Sequence, residues 1–247
     1  MEITLNFELA QPGIPSDYRR IFISFIKKAL SEVQDGRYLE KFYHDTQTKN
    51  FCFNVLMPKP VFQKEQIVLQ ANRIRMQVRA SDRDNTGLIL MGAFINQKHK
   101  RFPLPVGNSM VLAALGQKPS EQIKGEKLLL RTAAGSGIVV RDHDRETNRD
   151  TYHTVEEADF NDQLEDCLKR QVLELGFPPE KAEAIRCRMV KGEKLVVRHY
   201  GQMIDISKGF LQLAGPLDVL QMLYDVGLGS RHSSGYGVCT LVSDQLF

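Results

Sequence analysis

The sequence predicts an α+β protein made of two tandem ferredoxin-like domains, and three observations carry the prediction. Short runs of alternating apolar and polar residues recur along the chain, bounded by turn residues, as half-buried strands require. Two stretches, 17–33 and 155–176, instead repeat their apolar residues at spacings of three and four, as helices covering a sheet do. Between them lies LGQKPSEQIKGE (115–126), polar and broken by Pro119 and Gly125, after which the order of elements starts again. Strand–helix–strand–strand–helix–strand, counted twice, gives an N-terminal domain over 1–120 and a C-terminal domain over 121–247. A single α+β domain is the plainer alternative, since no residue-level repeat links the halves.

In order, MEITLNFEL (1–9) alternates and reads as a strand. Ser16 is a candidate N-cap for DYRRIFISFIKKALSEV (17–33), whose stripe is Ile21, Phe25, Ile26, Ala29, Leu30 and Val33. NFCFNVLM (50–57) and IRMQVRAS (74–81) read as strands. TGLILMGAFI (86–95) fits a strand or the start of a buried helix, and VGNSMVLAALG (106–116) is of undecided type. In the second half, KLLLRTAAGSGIVVRD (127–142) holds one or two strands, and Phe160, Leu164, Cys167, Leu168, Val172 and Leu175 mark the second helix. Residues 186–215 are strand-rich, with Gly192 as the expected hairpin turn. PLDVLQMLYDVG (216–227) is a short helix with Pro at its start and Gly at its end, and GVCTLV (237–242) closes as a strand.

Composition narrows the function classes. No apolar run approaches the ~20 residues of a membrane span, and MEITLNFELAQPG lacks a basic segment followed by a uniform apolar one. A cytoplasmic protein with no membrane partner is expected. Cys52, Cys167, Cys187 and Cys239 are far apart, with no C-x-x-C pair, so neither a metal site nor a disulfide framework nor any cofactor is expected. A net charge of +3 does not by itself imply nucleic acid.

The densest glycine cluster is DVGLGSRHSSGYGVC (225–239). It lacks the G-K-[ST] of a phosphate loop, and a strand follows it where a dinucleotide fingerprint needs a helix. Gly227, Gly229, Gly235 and Gly237 would let the backbone bend around Ser230, Arg231, His232 and Ser233. Such a turn offers amide N–H donors and a guanidinium to an anion. The plain alternative is a tight helix-to-strand connection with no ligand.

A short helix, this loop and a closing strand together resemble the RAMP superfamily of CRISPR-associated proteins, above all its repeat-processing endoribonuclease. That family carries G-φ-G-x-x-x-x-x-G-φ-G, with φ apolar or aromatic, and Gly227, Leu228, Gly229, Gly235, Tyr236 and Gly237 fill it. AGSGIVVRD (134–142) is similar to the family's second-domain opening strand, with Gly137 in place of a frequent proline. SFIKKALSEV, KFYHD and KNFCFNV resemble its first helix, following histidine and second strand.

The resemblance implies metal-independent cleavage of precursor CRISPR RNA. The ribose 2′-OH attacks the neighbouring phosphate and leaves 2′,3′-cyclic phosphate and 5′-OH ends. It implies His44 as acid or base and Lys49 as charge stabiliser. The first-helix tyrosine of some members is absent, with Lys27 or Lys28 in its place and Tyr43 as a substitute. RNA would run over the glycine loop and over Arg131, Arg141, Lys191, Lys194, Arg198 and His199. Arg73, Arg75 and Arg79 share one face of a predicted strand, and KHKR (98–101) is the densest basic run. His143 and His153 fall in a charged stretch read as a solvated hairpin. Expected partners are repeat RNA, CRISPR effector-complex proteins and, as in some members, a second copy of the chain. Two readings stand beside this one: a non-catalytic RNA-binding RAMP subunit, and a ferredoxin-like module that binds a phosphate ligand.

Overall fold

The computed structural model describes residues 1–44 and 48–245. In β1 (Glu2–Leu9), Ile3, Leu5, Phe7 and Leu9 are buried and the residues between them are not, so the strand gives one face to a core. After the short β2 (Gly13–Pro15), α1 (Tyr18–Ser31) lays Phe22 and Phe25 edge-on against Phe7, with ring centroids 5.6 and 5.0 Å apart. The cap position is Asp17 rather than the expected Ser16, whose hydroxyl donates to the Lys64 carbonyl at 3.2 Å. A further helix, α2 (Arg37–Tyr43), turns back before β3 (Phe51–Leu56). Two short strands, β4 (Val61–Phe62) and β5 (Gln66–Val68), form a small sheet with β2. β6 (Arg73–Ala80) follows. The ambiguous run at 86–95 is a helix, α3 (Thr86–Asn96), and β7 (Arg101–Pro103) leads into β8 (Ser109–Lys118), the undecided segment.

The second half repeats the plan. It runs β9 (Lys127–Thr132), the hairpin β10 (Val140–Asp144) and β11 (Arg149–His153), α4 (Phe160–Glu174) and α5 (Pro179–Glu183). Then come β12 (Arg186–His199), β13 (Gln202–Ala214), α6 (Leu217–Val226) and β14 (Cys239–Ser243). The predicted α4 stripe is buried throughout. The sheets are ordered β3-β6-β1-β8-β7 and β12-β13-β9-β14. Counting the four main strands of each half, both run second–third–first–fourth, antiparallel throughout, which is the ferredoxin-like order. Among the described residues no helix is long and apolar enough to cross a membrane.

Gly192 is not a turn. β12 runs straight through it, and the hairpin turns at Tyr200 and Gly201, with φ of 50° and 82°. Gly192 pairs with Gly209, where an added Cβ would lie 2.0 Å from the Lys191 carbonyl oxygen, so two backbones meet where a side chain would not fit.

The halves meet where α1, β3 and β6 of the first pack against α6 and the segment after it in the second. Arg79, expected on a shared face with Arg73 and Arg75, is buried instead. Its guanidinium stacks on Tyr224 of α6 at 4.2 Å and donates to the Cys239 carbonyl of β14 at 2.5 Å.

Candidate active site

On α1 the buried positions alternate with an exposed ridge, Arg20, Ser24 and Lys27, spaced four and three apart. α2 folds back beside it and ends at Tyr43, with His44 at its C-cap donating its backbone N–H to the Glu40 carbonyl at 2.9 Å. Two ammonium groups lie close to the Tyr43 ring, with Lys27 Nζ 4.7 Å and Lys49 Nζ 5.0 Å from its centroid. Lys27, Tyr43 and Lys49, separated by up to 22 residues of chain, are thus one cluster, with His44 beside Tyr43 and exposed. Partial burial and the Lys27 charge lower the Lys49 pKa. The Tyr43 hydroxyl is shielded from solvent and has no hydrogen-bond partner among the described residues, and burial raises its pKa. The Tyr43 ring thus brings two lysines together, while its hydroxyl stays in the protonated form that burial favours.

The glycine loop faces inward. Each glycine touches a neighbour: Gly227 against Cys52 and His232, Gly229 against Val139, Gly235 against Phe53 and Arg19, and Gly237 against Leu228. Several of its amides are paired within the fold. Leu228 N–H donates to Gly237, Gly229 N–H to the Gln171 side chain, Ser230 N–H to Val139 and Gly237 N–H to Gly137. These four N–H groups are already paired, where an anion cradle needs open donors. His232 is buried, with Nδ1 3.1 Å from the Phe51 carbonyl oxygen, and burial lowers its pKa to about 4, which holds the ring neutral within the fold. Arg231 also turns inward, donating to Asp150 at 2.7 Å and Tyr152 at 2.9 Å and lying 3.1 Å from His199 Nε2. Ser230 and Ser233 are partly exposed. The loop is the seam between domains: its short 3-10 turn His232–Ser234 packs on α1 and β3.

The remaining basic residues separate into two groups. A cleft of about 1190 Å³ opens between the start of α1, β4 and the β12–β13 sheet face, and Arg131, Lys191 and Arg198 line it. Lys64, Lys208 and Arg19 line it too, as do Phe62 and Phe210; sequence reasoning singles out none of these five. Across β12–β13 Lys208 pairs with Glu193, whose carboxylate lies 2.7 Å from its Nζ, and Lys191 pairs with Phe210 two positions along, so the register brings both lysines to one stretch of the sheet. Arg198 is partly committed to an ion pair with Glu65 at 2.9 Å. Arg141 and Lys194 lie outside the cleft, held by Asp150 at 2.9 Å and Asp205 at 2.9 Å. His199 is buried, and burial, then Arg231 and Arg19, lowers its pKa to about 4; it adds no positive charge near neutrality. The charged stretch with His143 and His153 is the β10–β11 hairpin. His143 Nδ1 lies 2.8 Å from Asp150, and His153 bridges Glu157 and Asp142 at 2.7 and 3.2 Å.

Comparison with known proteins agrees with this architecture. The structure entitled "An RAMP protein binding different RNA substrates" superposes with a TM-score of 0.80 at 17% identity, over 98% of this chain and 100% of the other. A Cas6-related protein from Pyrococcus furiosus gives 0.79 at 19% identity over 99% of both chains. A Cas6 product complex gives 0.67 at 15% identity, covering 98% of this chain and 99% of the other. No curated protein matches the sequence. The sequence profile described as CRISPR associated protein Cas6, C-terminal, matches residues 117–241, which takes in the whole second sheet up to the last residues of β14. On that match, over half the chain, the protein belongs to the Cas6 family of CRISPR-associated proteins.

Proposed function

We propose that this Cas6-family protein is an endoribonuclease that cuts precursor CRISPR RNA within the repeat, without a metal. The carrying observation is the convergence of Lys27, Tyr43 and Lys49 beside His44, at the domain seam. Cleavage needs a proton removed from the 2′-OH, charge stabilised on the pentacoordinate phosphorane and a proton given to the departing 5′-oxygen. As the 2′-O–P bond forms and the P–O5′ bond breaks, His44 serves the proton transfers, giving a proton through one step and taking one through the other. Lys27 and Lys49 meet the developing negative charge, with the Tyr43 ring close to both ammonium groups. The more acidic Lys49 ammonium is also suited to share its proton with the leaving oxygen. Upstream RNA follows the basic cleft, held through its phosphates by Arg131, Lys191 and Lys208.

The test is incubation of the host's repeat RNA with the protein in EDTA. A product ending in 2′,3′-cyclic phosphate supports the reading, and intact RNA refutes it. The lysine at position 27, where some members carry tyrosine, favours one second reading: a non-catalytic RNA-binding RAMP subunit that works with effector-complex proteins. Tight binding with no cleavage would support that instead.

A further inference from the structure

Tyr200 stands at the tip of the β12–β13 hairpin with φ of 50°, a conformation that a bulky side chain adopts only when its surroundings impose it. The two-residue loop closed by the His199–Gln202 pair requires positive φ at both of its residues, and a contact from the other domain holds it in place. The Asp17 carboxylate, just before α1, accepts the backbone N–H groups of Tyr200 at 3.2 Å and of Gly201 at 3.0 Å. Neither terminus of that tie is part of the cluster around Tyr43.

The effect is to display one aromatic ring. Tyr200 is 49% exposed although it lies at the seam. Its inner edge rests on the buried His199 ring, 4.9 Å between centroids, and the Arg20 guanidinium lies 5.7 Å from its centroid. Arg20 and Lys27 occupy the same ridge of α1, seven residues apart, which is about 10 Å along a helix. An RNA strand leaving the Lys27–Lys49 cluster along this ridge reaches Tyr200 within a nucleotide or two. The Tyr200 phenol is also near enough to Tyr43 that a negative charge on it would raise the Tyr43 pKa further.

In-line attack imposes a geometric demand. The 2′-oxygen, phosphorus and 5′-oxygen must align, which a continuously stacked strand does not allow, so a base beside the cut has to leave the stack. An aromatic face that receives the base offsets the lost stacking. The chain has no tryptophan, so the receiving face must be tyrosine, phenylalanine or histidine. We propose that Tyr200 is the platform on which a base flanking the scissile phosphate stacks, locking the RNA in its cleavable shape. This rests on the RNA-cleavage reading above and adds to it a positioning contact from the second domain.

The test uses the full chain and the host's repeat RNA, with the cut first mapped by the wild-type protein. A 2′-deoxy substitution at the nucleotide supplying the attacking hydroxyl blocks cleavage, and 2-aminopurine is placed in turn at the two flanking nucleotides. At one position, binding to wild-type protein or to Tyr200→Phe should quench the fluorescence, and binding to Tyr200→Ala should not. On cleavable RNA, Tyr200→Ala should lower kcat/KM by about 10- to 100-fold, while Tyr200→Phe stays within about threefold of wild type. Absence of quenching at both positions with wild-type protein overturns the proposal. So does wild-type cleavage by Tyr200→Ala, or equal damage from Phe and Ala, which would make the phenol a proton carrier. Wild-type protein that leaves the RNA intact defeats the underlying cleavage reading instead.

Discussion

Arg19, in the first turn of α1, donates from Nε to the carbonyl oxygen of Gly235 at 3.1 Å, joining the first helix of one domain to the glycine loop of the other. Nη2 donates to Gly135 at 3.0 Å, and the guanidinium stacks between Tyr18 and Tyr236 at 4.7 and 4.4 Å. The side chain is almost wholly buried, so its removal orphans the Gly235 carbonyl, leaves Gly135 with the long 3.5 Å bond from the Tyr18 hydroxyl, and opens a cavity. Arg19→Ala is expected to cost about 3 kcal/mol, read from urea unfolding. Arg19→Lys should recover little of it, since an ammonium cannot stack or span both acceptors.

The loop glycines are packing positions, and substitution should show it. At Gly237 (φ 70°) an added Cβ would lie 2.3 Å from the Leu228 carbonyl oxygen, and at Gly229 (φ 80°) 2.7 Å from that of Val139. Gly237→Ala and Gly229→Ala should each destabilise by more than about 2 kcal/mol. Ser233→Ala, in the same loop but partly exposed, should stay within about 0.5 kcal/mol. Thermal denaturation of the three variants decides between a seam and a surface cradle.

Replacing His44 or Lys49 by Ala should lower kcat by about 100- to 10,000-fold, with RNA affinity changed only a fewfold. Lys27→Met removes a like charge beside Lys49, so the Lys49 pKa should rise and any alkaline fall in the pH–rate profile should move to higher pH. A shift to lower pH would contradict the assignment.

Arg131→Ala and Lys191→Ala should weaken RNA binding and make its salt dependence shallower, by about 0.7 in slope for each single-strand phosphate that the variant no longer neutralises. Arg231→Ala should behave differently. Its partners are Asp150, Tyr152 and His199, so the melting temperature should drop while the salt slope holds.

His199 and His232 are both held neutral, with pKa values lowered to about 4. In the unfolded chain each takes up a proton near pH 6.5, which the folded state refuses until about pH 4. Stability should therefore fall as pH drops through this range, by about 2 kcal/mol for the pair between pH 6.5 and 5.5. His153, whose pKa is raised by Glu157 and Asp142 against the cost of burial, acts above that window, losing its contribution as pH climbs past its folded pKa. Urea midpoints at pH 6.5 and 5.5 that coincide would contradict the burial of these two rings.

The elements with one clear period are legible in the sequence: β1, α1 and α4 lie where their apolar spacing puts them, and α6 lies between the Pro and Gly that bound it. α3 is ambiguous there because an almost unbroken apolar run carries no period to read. Gly192 misleads because glycine marks both turns and close backbone approaches, and only the pairing with Gly209 tells them apart. The loop's sequence announces its glycines but not their orientation, which depends on Cys52, Phe53 and Val139 arriving from elsewhere in the chain. The Lys27–Tyr43–Lys49 cluster has no local signature, since its members meet only when α2 folds back on α1.

Arg19 and Gly235 are 216 residues apart in the chain. The strands of the first sheet are all synthesised once Lys118 has been made, long before the loop that covers α1 and β3 leaves the ribosome. During synthesis, then, the first domain waits with one face uncovered, where Arg19, Cys52 and Phe53 later meet the loop. The Arg19–Gly235 contact can form only after residue 235 has emerged, so the face of α1 and β3 that the loop covers is the part of the first domain left open to wrong partners longest during synthesis.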